Sequence, residues 1–467
     1  MRIRILGTVE SAALLGLGTV PIQALSPCPL FGPDLPIPKA LNNDVSIKNA
    51  LSEIPQLIPS LDIDFQNTSF SIDIYPADKQ PLFSYHHSAA NHGQDVNDTT
   101  VYRIGDISFN QPVTRYVHEL ADISARLRNK SASALQNVDW DVITIGALAS
   151  HMAGIPRDFP SPASADRQLE RYAKPANTDS SIIPDSPSSS WYDVDTRDEG
   201  PAAGIYSSIA DLCRIGQSIL TYEMLSPSQT RRWMKPLSFT ADPQIAVGAP
   251  WEIAQVTSST NRASWMYTKG GKLGMYSSLM ALIPDWGVGL TVLAAGTDAP
   301  GVVGMIPGAI ISKLVPALKQ AAKRQARQIY SGCYGDERYS MTLAVQDSLP
   351  GLGVTSWLVD GRDMFDSIRL MVSESSTGPG NVSMRLYPTG LQTQPDEKAR
   401  LESWRAVYEI IDAASPSSPY CASWFAVDSV TYGGVSIDEF AIDLSVDGTS
   451  QGITISVFDT RLERVRR

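Results

Sequence analysis

The stretch from Trp265 to Pro284 constrains the fold of this chain more than any other. Its sequence is WMYTKGGKLGMYSSLMALIP, in which β-forming residues and glycines precede a largely apolar run from Tyr276 to Ile283. Aromatic and β-branched residues favour strands, whereas glycines interrupt them and favour turns. The pattern predicts a β-hairpin whose turn is supplied by Gly270, Gly271 and Gly274.

Lys269 stands immediately before two of these glycines. Because glycine has no Cβ, a ligand can approach the backbone of Gly270 and Gly271 closely, beside the positive charge of the lysine. These three residues are therefore candidate ligand-binding residues. A Lys-Gly-Gly sequence also occurs in ordinary turns, so the functional interpretation depends on the rest of the chain.

The sequence Lys269-Gly270-Gly271, followed by an apolar strand, resembles the Lys-Thr-Gly strand of the serine β-lactamase and penicillin-binding-protein superfamily. Residues 143–156, 201–212 and 247–253 resemble further segments of that superfamily in the expected order. The resemblance implies an α+β fold, with a β-lactamase/transpeptidase-like domain made of an antiparallel sheet flanked by helices. It also implies that Tyr206 lies near the substrate-binding cleft and that His151 has a structural role.

The nucleophile region departs from the resembled family. Its members continue from Arg-Ile-Gly into Ser-x-x-Lys at a helix start, but Asp106 and Phe109 stand at those two positions here. None of the twelve lysines has a serine three residues before it, and the family's Tyr-x-Asn motif does not occur. Ser108 and Asn110 form a Ser-x-Asn sequence, which is another motif type of the family, but it does not stand at the position where the family has that motif. The sequence therefore predicts a degenerate site with impaired or lost catalysis.

A helix is also missing from the expected order. Pro112 follows Phe109 by three residues, and proline disrupts a helix interior. The residues after Pro112 resemble the sequence that follows the nucleophile helix in the family. The chain therefore lacks a segment of about one helix, the one that carries the nucleophile in the family. Residues 157–202 read as a long loop with few large apolar residues to replace it. We expect apolar surface that a protein partner would cover, or poor secretion.

The predicted secondary structure changes at Ile329, from helix to short strands. Short alternating runs separated by glycines predict a small all-β module, which resembles the C-terminal domain of secreted fungal β-lactamase-like proteins. The sequence therefore predicts a signal peptide at 1–24, a β-lactamase-like domain at 25–327 and a C-terminal β domain at 328–467. The C-terminal domain is expected to fold independently. Residues 303–327 are predicted to be helical, with a break near Pro316.

The four cysteines are Cys28, Cys213, Cys333 and Cys421. Four cysteines permit three complete pairings, and a Cys333–Cys421 disulfide within the C-terminal region is the preferred one. Cys213 lies on the inward stripe of a predicted helix and is expected to be a core residue.

Residues 1–24 indicate secretion. Arg2 and Arg4 precede a short apolar segment that ends at Ala24, as in a signal peptide, and the segment is too short to span a bilayer. No later run of about 18 apolar residues was found in the sequence, so no membrane span is expected. Four Asn-x-Ser/Thr sequons are candidate glycosylation sites: Asn67, Asn97, Asn129 and Asn381.

Charge and residue spacing limit the other partners. The formal net charge of −11 argues against nucleic acid and anionic membranes as partners. No Cys/His spacing predicts a metal site, and no cofactor is expected. The ligand implied by the resemblance is a small-molecule ester or amide, or a peptide.

Three functional hypotheses remain open. The first is a secreted relative of serine hydrolases or acyltransferases that is impaired or inactive as written. The second is a non-catalytic extracellular ligand-binding protein. The third is an active hydrolase whose gene model lost coding segments, including those for Ser-x-x-Lys and Tyr-x-Asn.

Overall fold

The computed structural model describes residues 32–77, 81–104, 180–186, 189–192, 205–257, 263–345, 349–373, 382–396, 399–410, 427–428 and 431–465. Its helices are α1 (Val45–Leu57), α2 (Ile209–Leu220), α3 (Pro227–Trp233), α4 (Ala299–Tyr330) and α5 (Met364–Ser373). The strands before α4 are β1 (Thr68–Pro76), β2 (Phe83–His87), β3 (Val101–Ile104), β4 (Ile205–Ser208), β5 (Ser238–Phe239), β6 (Ile245–Val247), β7 (Glu252–Thr257), β8 (Ala263–Leu273), β9 (Tyr276–Ile283) and β10 (Val288–Gly296). Those after it are β11 (Gly332–Gly335), β12 (Ser340–Ala344), β13 (Leu352–Val359), β14 (Arg362–Asp363), β15 (Val382–Asp396), β16 (Ala399–Ile410), β17 (Thr431–Tyr432), β18 (Val435–Ser436), β19 (Glu439–Ser445), β20 (Ser450–Ile455) and β21 (Thr460–Glu463).

The first domain is built on an eight-stranded antiparallel sheet in the order β2-β1-β10-β9-β8-β7-β6-β5. Alternate side chains of a strand point to opposite faces. On β1, Ile72 packs on the face that α1 and α4 cover, whereas Tyr75 packs on the face that α2 covers. The predicted antiparallel sheet flanked by helices is confirmed.

Three helices, α1, α2 and α3, begin at side-chain caps. The Asp44 carboxylate accepts hydrogen bonds from the N–H groups of Ser46 and Ile47, which start α1. Ser208 Oγ accepts from the Asp211 N–H at 3.2 Å and caps α2, as the sequence predicts. Such a cap satisfies a backbone donor that has no partner within the helix.

The predicted hairpin is formed by β8 and β9, but its turn differs from the prediction. Gly270 and Gly271 lie within β8, where they pair with Leu279 and Ser278 of β9. The turn falls at Gly274, whose φ of 55° is readily adopted by glycine. The assignment of Gly270 and Gly271 to the turn was therefore wrong, because their pairing with β9 continues the strand past them.

The helix α4 runs without a break from Ala299 to Tyr330, so the predicted break near Pro316 is wrong. It contains Pro307 and Pro316 and continues through both. Its buried side chains recur at helical spacing along its length, among them Val302, Ile306 and Ile310. Packing of this stripe offsets the hydrogen bonds that the prolines remove. Within the described part of the chain, α4 is also long and apolar enough to cross a membrane. Half of its most apolar 18-residue stretch is buried in the protein.

The second domain is an all-β near-barrel, as the sequence predicts. Its main sheet has the order β11-β12-β13-β15-β16-β19-β20-β21, and β14 pairs with β13. An antiparallel bridge between Tyr334 and Arg464 joins the first strand to the chain just after the last. Since the Val465 N–H also donates to the Cys333 carbonyl at 2.9 Å, the two edges of the sheet protect each other.

The cysteines are arranged differently from the preferred pairing. Cys333 is a free thiol in the structure, and its sulfur lies 3.7 Å from Thr342 Oγ1 across the β11–β12 pair. The Cys333–Cys421 disulfide is therefore not formed here, and Cys421 lies outside the described residues. Cys213 is buried, as predicted, but it also donates a weak S–H hydrogen bond to Asp73 Oδ2 at 3.4 Å.

Candidate functional site

The candidate site is an open edge of β8. The pairing of β7 with β8 ends where Glu252 lies opposite Thr268, so residues 269–273 have no strand partner on that side within the described ranges. The Gly270 N–H points to this edge, because it donates to Glu252 Oε2 at 3.3 Å. Backbone groups two residues apart in a strand face the same side, so the Lys272 N–H also faces the edge.

Lys269 folds back onto the same edge. Its Nζ donates to the Gly270 carbonyl at 2.7 Å and lies 3.6 Å from Glu252 Oε1. The Lys269 side chain is 14% exposed, against 39% for Glu252. The structure therefore brings the predicted residues Lys269 and Gly270 together at one edge and places Gly271 between the two residues that face it.

Sequence reasoning missed Glu252. The signal for it is the antiparallel register, which sets Glu252 opposite the neighbour of Lys269. Register between two strands joined by a loop cannot be read from either strand alone. From sequence alone, residues 247–253 indicate only a stretch that resembles the family.

Tyr206, predicted to lie near the cleft, is held by other groups. Its hydroxyl donates to the Tyr192 carbonyl, and its ring meets the Tyr192 ring edge to face at 5.1 Å. The Arg103 guanidinium lies 5.5 Å from the Tyr206 ring centroid and donates to the Trp191 carbonyl. Burial raises the pKa of Tyr206 above its usual range. In this arrangement the Tyr206 hydroxyl orders the residue 189–192 segment.

The residue 189–192 segment packs against the turn of the β8–β9 hairpin. The Met275 N–H donates to the Ser190 carbonyl at 3.3 Å. A Cβ at Gly274 would lie only 2.5 Å from the Cβ of Trp191, so the approach depends on glycine. Tyr276 lies beside the turn, and its hydroxyl donates to the Ile182 carbonyl at 2.7 Å. The end of the candidate cleft at this turn is therefore covered.

A buried polar stripe runs along β1 on the face that α2 covers. Asp73 is 6% exposed, and its Oδ1 has no hydrogen-bond partner among the described residues. Burial raises the pKa of this carboxyl group, although a hydrogen bond from Ser84 acts in the opposite direction. Two residues along the strand, Ser71 Oγ lies 3.1 Å from the Tyr102 hydroxyl and 3.0 Å from His86 Nδ1.

Several predicted residues lie outside the described part of the chain. They are Asp106, Ser108, Phe109, Asn129, His151 and Asn381. Of the other two sequons, Asn67 is engaged through its amide, which donates to Asp64 Oδ2 at 2.9 Å. Asn97 is exposed, and its Oδ1 accepts from the Thr99 N–H at 2.9 Å and from the Thr99 hydroxyl at 2.7 Å.

In the described residues, no group of three or more His, Cys, Asp or Glu side chains could hold a metal ion. A groove of about 1440 Å³ lies between the two domains, with Trp265 and Tyr267 on one side and Arg400 and Glu402 on the other, and Lys269 does not line it. Burial raises the pKa of Tyr267 to about 12.

The sheet with its flanking helices and the lysine at the edge of β8 define a protein of the serine β-lactamase/transpeptidase-like class. The family model Beta-lactamase matches residues 162–310, and the model Beta-lactamase-like-like, C-terminal domain, matches residues 322–466. The chain therefore has a β-lactamase-like domain, followed by the C-terminal domain described for such β-lactamase-like proteins.

Two relatives and one solved structure are similar to this chain. A "Beta-lactamase-like protein" of Arthroderma benhamiae is 25% identical, in an alignment that covers 89% of this chain and 92% of the relative. A "Probable hydrolase M10" of a Phoma species is 27% identical over 50% of this chain and 40% of its own length. Among solved structures, a β-lactamase from Sulfitobacter sp. EE-36 aligns with a TM-score of 0.38 and 13% identity, covering 58% of this chain and 98% of its own.

Proposed function

We propose that this protein is an extracellular β-lactamase-like protein that binds an ester, amide or peptide ligand at the open edge of β8 without acyl transfer. One observation carries the proposal. The lysine-bearing edge of the family's cleft is present, whereas Asp106 and Phe109 stand at the positions of the family's nucleophile and its lysine.

The chemistry follows from those two residues. An acyl-enzyme requires a hydroxyl nucleophile and a base that can take its proton. A carboxylate at position 106 forms no stable acyl-enzyme by the same route, and a phenylalanine at position 109 accepts no proton. Lys269 still supplies positive charge, and the Lys272 N–H is still directed at the edge. Binding can therefore persist where turnover is lost.

The experiment is a turnover assay on the chain as written. We expect no hydrolysis of a chromogenic cephalosporin or a short-chain nitrophenyl ester above background, because loss of the nucleophile alone costs roughly six orders of magnitude in a comparable hydrolase. Turnover that disappears in Ser108→Ala would contradict the proposal and would make Ser108 a substitute nucleophile. The matched control is Ser218→Ala, which removes a hydroxyl from the outer part of α2.

An active hydrolase is the second candidate, and one observation favours it. The alignment with the Arthroderma protein runs over 565 positions, more than the 467 residues of this chain, so the relative contains segments without a counterpart here. Sequencing the transcript across codons 105 to 112 and 156 to 205 tests this candidate. A transcript that encodes Ser-x-x-Lys and Tyr-x-Asn would replace the proposal with an active serine hydrolase.

We also propose secretion after removal of residues 1–24, with Asn97 as a glycan acceptor. Support comes from the exposure of Asn97 on a loop. The intact mass of the secreted chain tests removal of residues 1–24, and treatment with an N-glycosidase tests glycosylation. A mass loss on treatment that is equal for wild type and Asn97→Gln would contradict glycosylation at this site. We further propose that a protein partner covers the apolar surface that the missing helix would have covered. Co-purification from the culture medium would test this.

A further inference from the structure

The open edge of β8 carries its own anion. One oxygen of the Glu252 carboxylate lies 3.6 Å from Lys269 Nζ, and the other accepts the Gly270 N–H at 3.3 Å. The Glu252 carboxylate thus pairs with the positive charge of Lys269 and also accepts the hydrogen bond from the Gly270 N–H. A carboxylate on a ligand would seek the same pair of groups, because charge-assisted hydrogen bonds are the strong ones.

The local backbone makes room for this arrangement. Gly270 has no side chain, and even a Cβ there would touch Glu252 Oε2 at 3.5 Å. A larger side chain at position 270 would crowd the carboxylate. Glycine at this position therefore lets Glu252 lie across the edge of the strand.

We propose that Glu252 makes this site select uncharged ester or amide ligands over ligands that carry a carboxylate. The inference rests on the proposed function, namely that ligands bind at this edge. It adds a charge requirement for the ligand and assigns that requirement to one residue.

Two physical effects act against an anionic ligand. It has to displace Glu252 from Lys269 and Gly270, and until then it meets a carboxylate of like charge. Solvent screens the pair only in part, because the Lys269 side chain is 14% exposed. An uncharged ligand can instead accept a hydrogen bond from the Lys272 N–H, which faces the same edge, while Glu252 stays in place.

The test uses two probes that share one acyl group, benzylpenicillin and its methyl ester. Isothermal titration calorimetry measures their affinities for the full chain as wild type, Glu252→Gln and Glu223→Gln. The last variant removes one negative charge from an exposed residue after α2 and controls for net charge.

We expect the wild type and Glu223→Gln to bind the methyl ester at least about tenfold more tightly than benzylpenicillin. Glu252→Gln should raise the affinity for benzylpenicillin by about tenfold or more and change the affinity for the ester by less than about threefold. Glu252→Ala should act in the same way, and circular dichroism checks that each variant is folded.

Two results would overturn the inference in distinguishable ways. Equal affinity of the wild type for both probes, or a preference unchanged in both Glu252 variants, would remove Glu252 as the selecting residue and leave ligand binding intact. Failure of the folded wild type and of both variants to bind either probe would overturn the proposed function, and the inference with it.

Discussion

Two carboxylates of the first domain lie in contrasting surroundings. Glu252 is partly exposed and paired with Lys269, whereas Asp73 is buried with one oxygen unpaired among the described residues. Burying a charged group without full compensation destabilises the folded state. Asp73 is therefore expected to lower the stability of the domain at neutral pH, where its ionised form is favoured in the unfolded chain.

Asp73→Asn is expected to stabilise the protein at pH 7, because it removes a charge from a buried position and keeps the shape of the side chain; each unit by which burial raises the pKa of Asp73 corresponds to about 1.4 kcal/mol. The pKa of Asp73 is raised from its ordinary value of 3.8 in the folded state, so the wild type loses stability as pH rises from about 4 through the raised pKa. The gain from the substitution should therefore grow between pH 4 and pH 7, as urea unfolding at both values would show. The exposed Asp95→Asn is the control, and an equal effect of the two substitutions would contradict this account.

Sequence patterns identified some residues of the candidate site and missed another, Glu252, for a definite reason. Lys269 and its glycines are recognisable because they are contiguous and follow a known local pattern. Glu252 lies on a different strand, and only the register that sets it opposite Thr268 places it beside them. Such long-range pairing is not encoded in any single segment.

At the level of elements, the contact between α2 and the sheet depends on glycine. A Cβ at Gly216 of α2 would lie 2.1 Å from the Tyr75 hydroxyl, and one at Gly289 of β10 would lie 2.3 Å from the Tyr75 ring. Tyr75 is buried and fills the space between the two glycines. Close approach of a helix to a sheet around one large ring leaves no room for another methyl group.

Gly216→Ala should destabilise the protein by roughly 3 kcal/mol, at the upper end of the cost of overpacking a core. The matched control is Gly304→Ala in α4, where no atom lies within 4 Å of the added Cβ. This control should stabilise by up to about 1 kcal/mol, because alanine favours helix over glycine. Chemical denaturation of both variants checks the prediction, and a neutral Gly216→Ala would show that Tyr75 can move.

Local rules predicted the elements well where local forces decide. The Ser208 cap and the β8–β9 hairpin follow from neighbouring residues, and both are observed. The proline rule failed at Pro316, because it describes a helix without tertiary support. In α4 a long buried stripe on one face supplies that support.

At the level of the whole molecule, α4 belongs to both domains. Tyr330, its last residue, donates to Glu402 Oε2 at 2.7 Å and meets Trp404 edge to face at 5.1 Å. Arg464 donates to the carbonyls of Ile329 and Ser331 at 2.8 and 2.6 Å. One hydrophobic cluster includes residues of both domains. A boundary between 327 and 328 would therefore cut α4 in its last turn.

This shared helix changes the expectation that residues 328–467 fold independently. We expect the full chain to unfold in one cooperative calorimetric transition, because the end of α4 packs against Glu402 and Trp404 of the second domain. Residues 328–467 expressed alone should lack a sharp transition. Two separate transitions, with the fragment melting at the temperature of one of them, would restore the earlier expectation.

We propose that the cleft binds acyl ligands without forming an acyl-enzyme. Intact-mass spectrometry of the full chain, incubated with excess benzylpenicillin methyl ester and a nitrophenyl ester, tests it most directly. We expect that no stoichiometric adduct forms within residues 105–112, although the ester binds reversibly in calorimetry. A one-to-one acyl adduct that peptide mapping places at Ser108, and that Ser108→Ala removes, would contradict it.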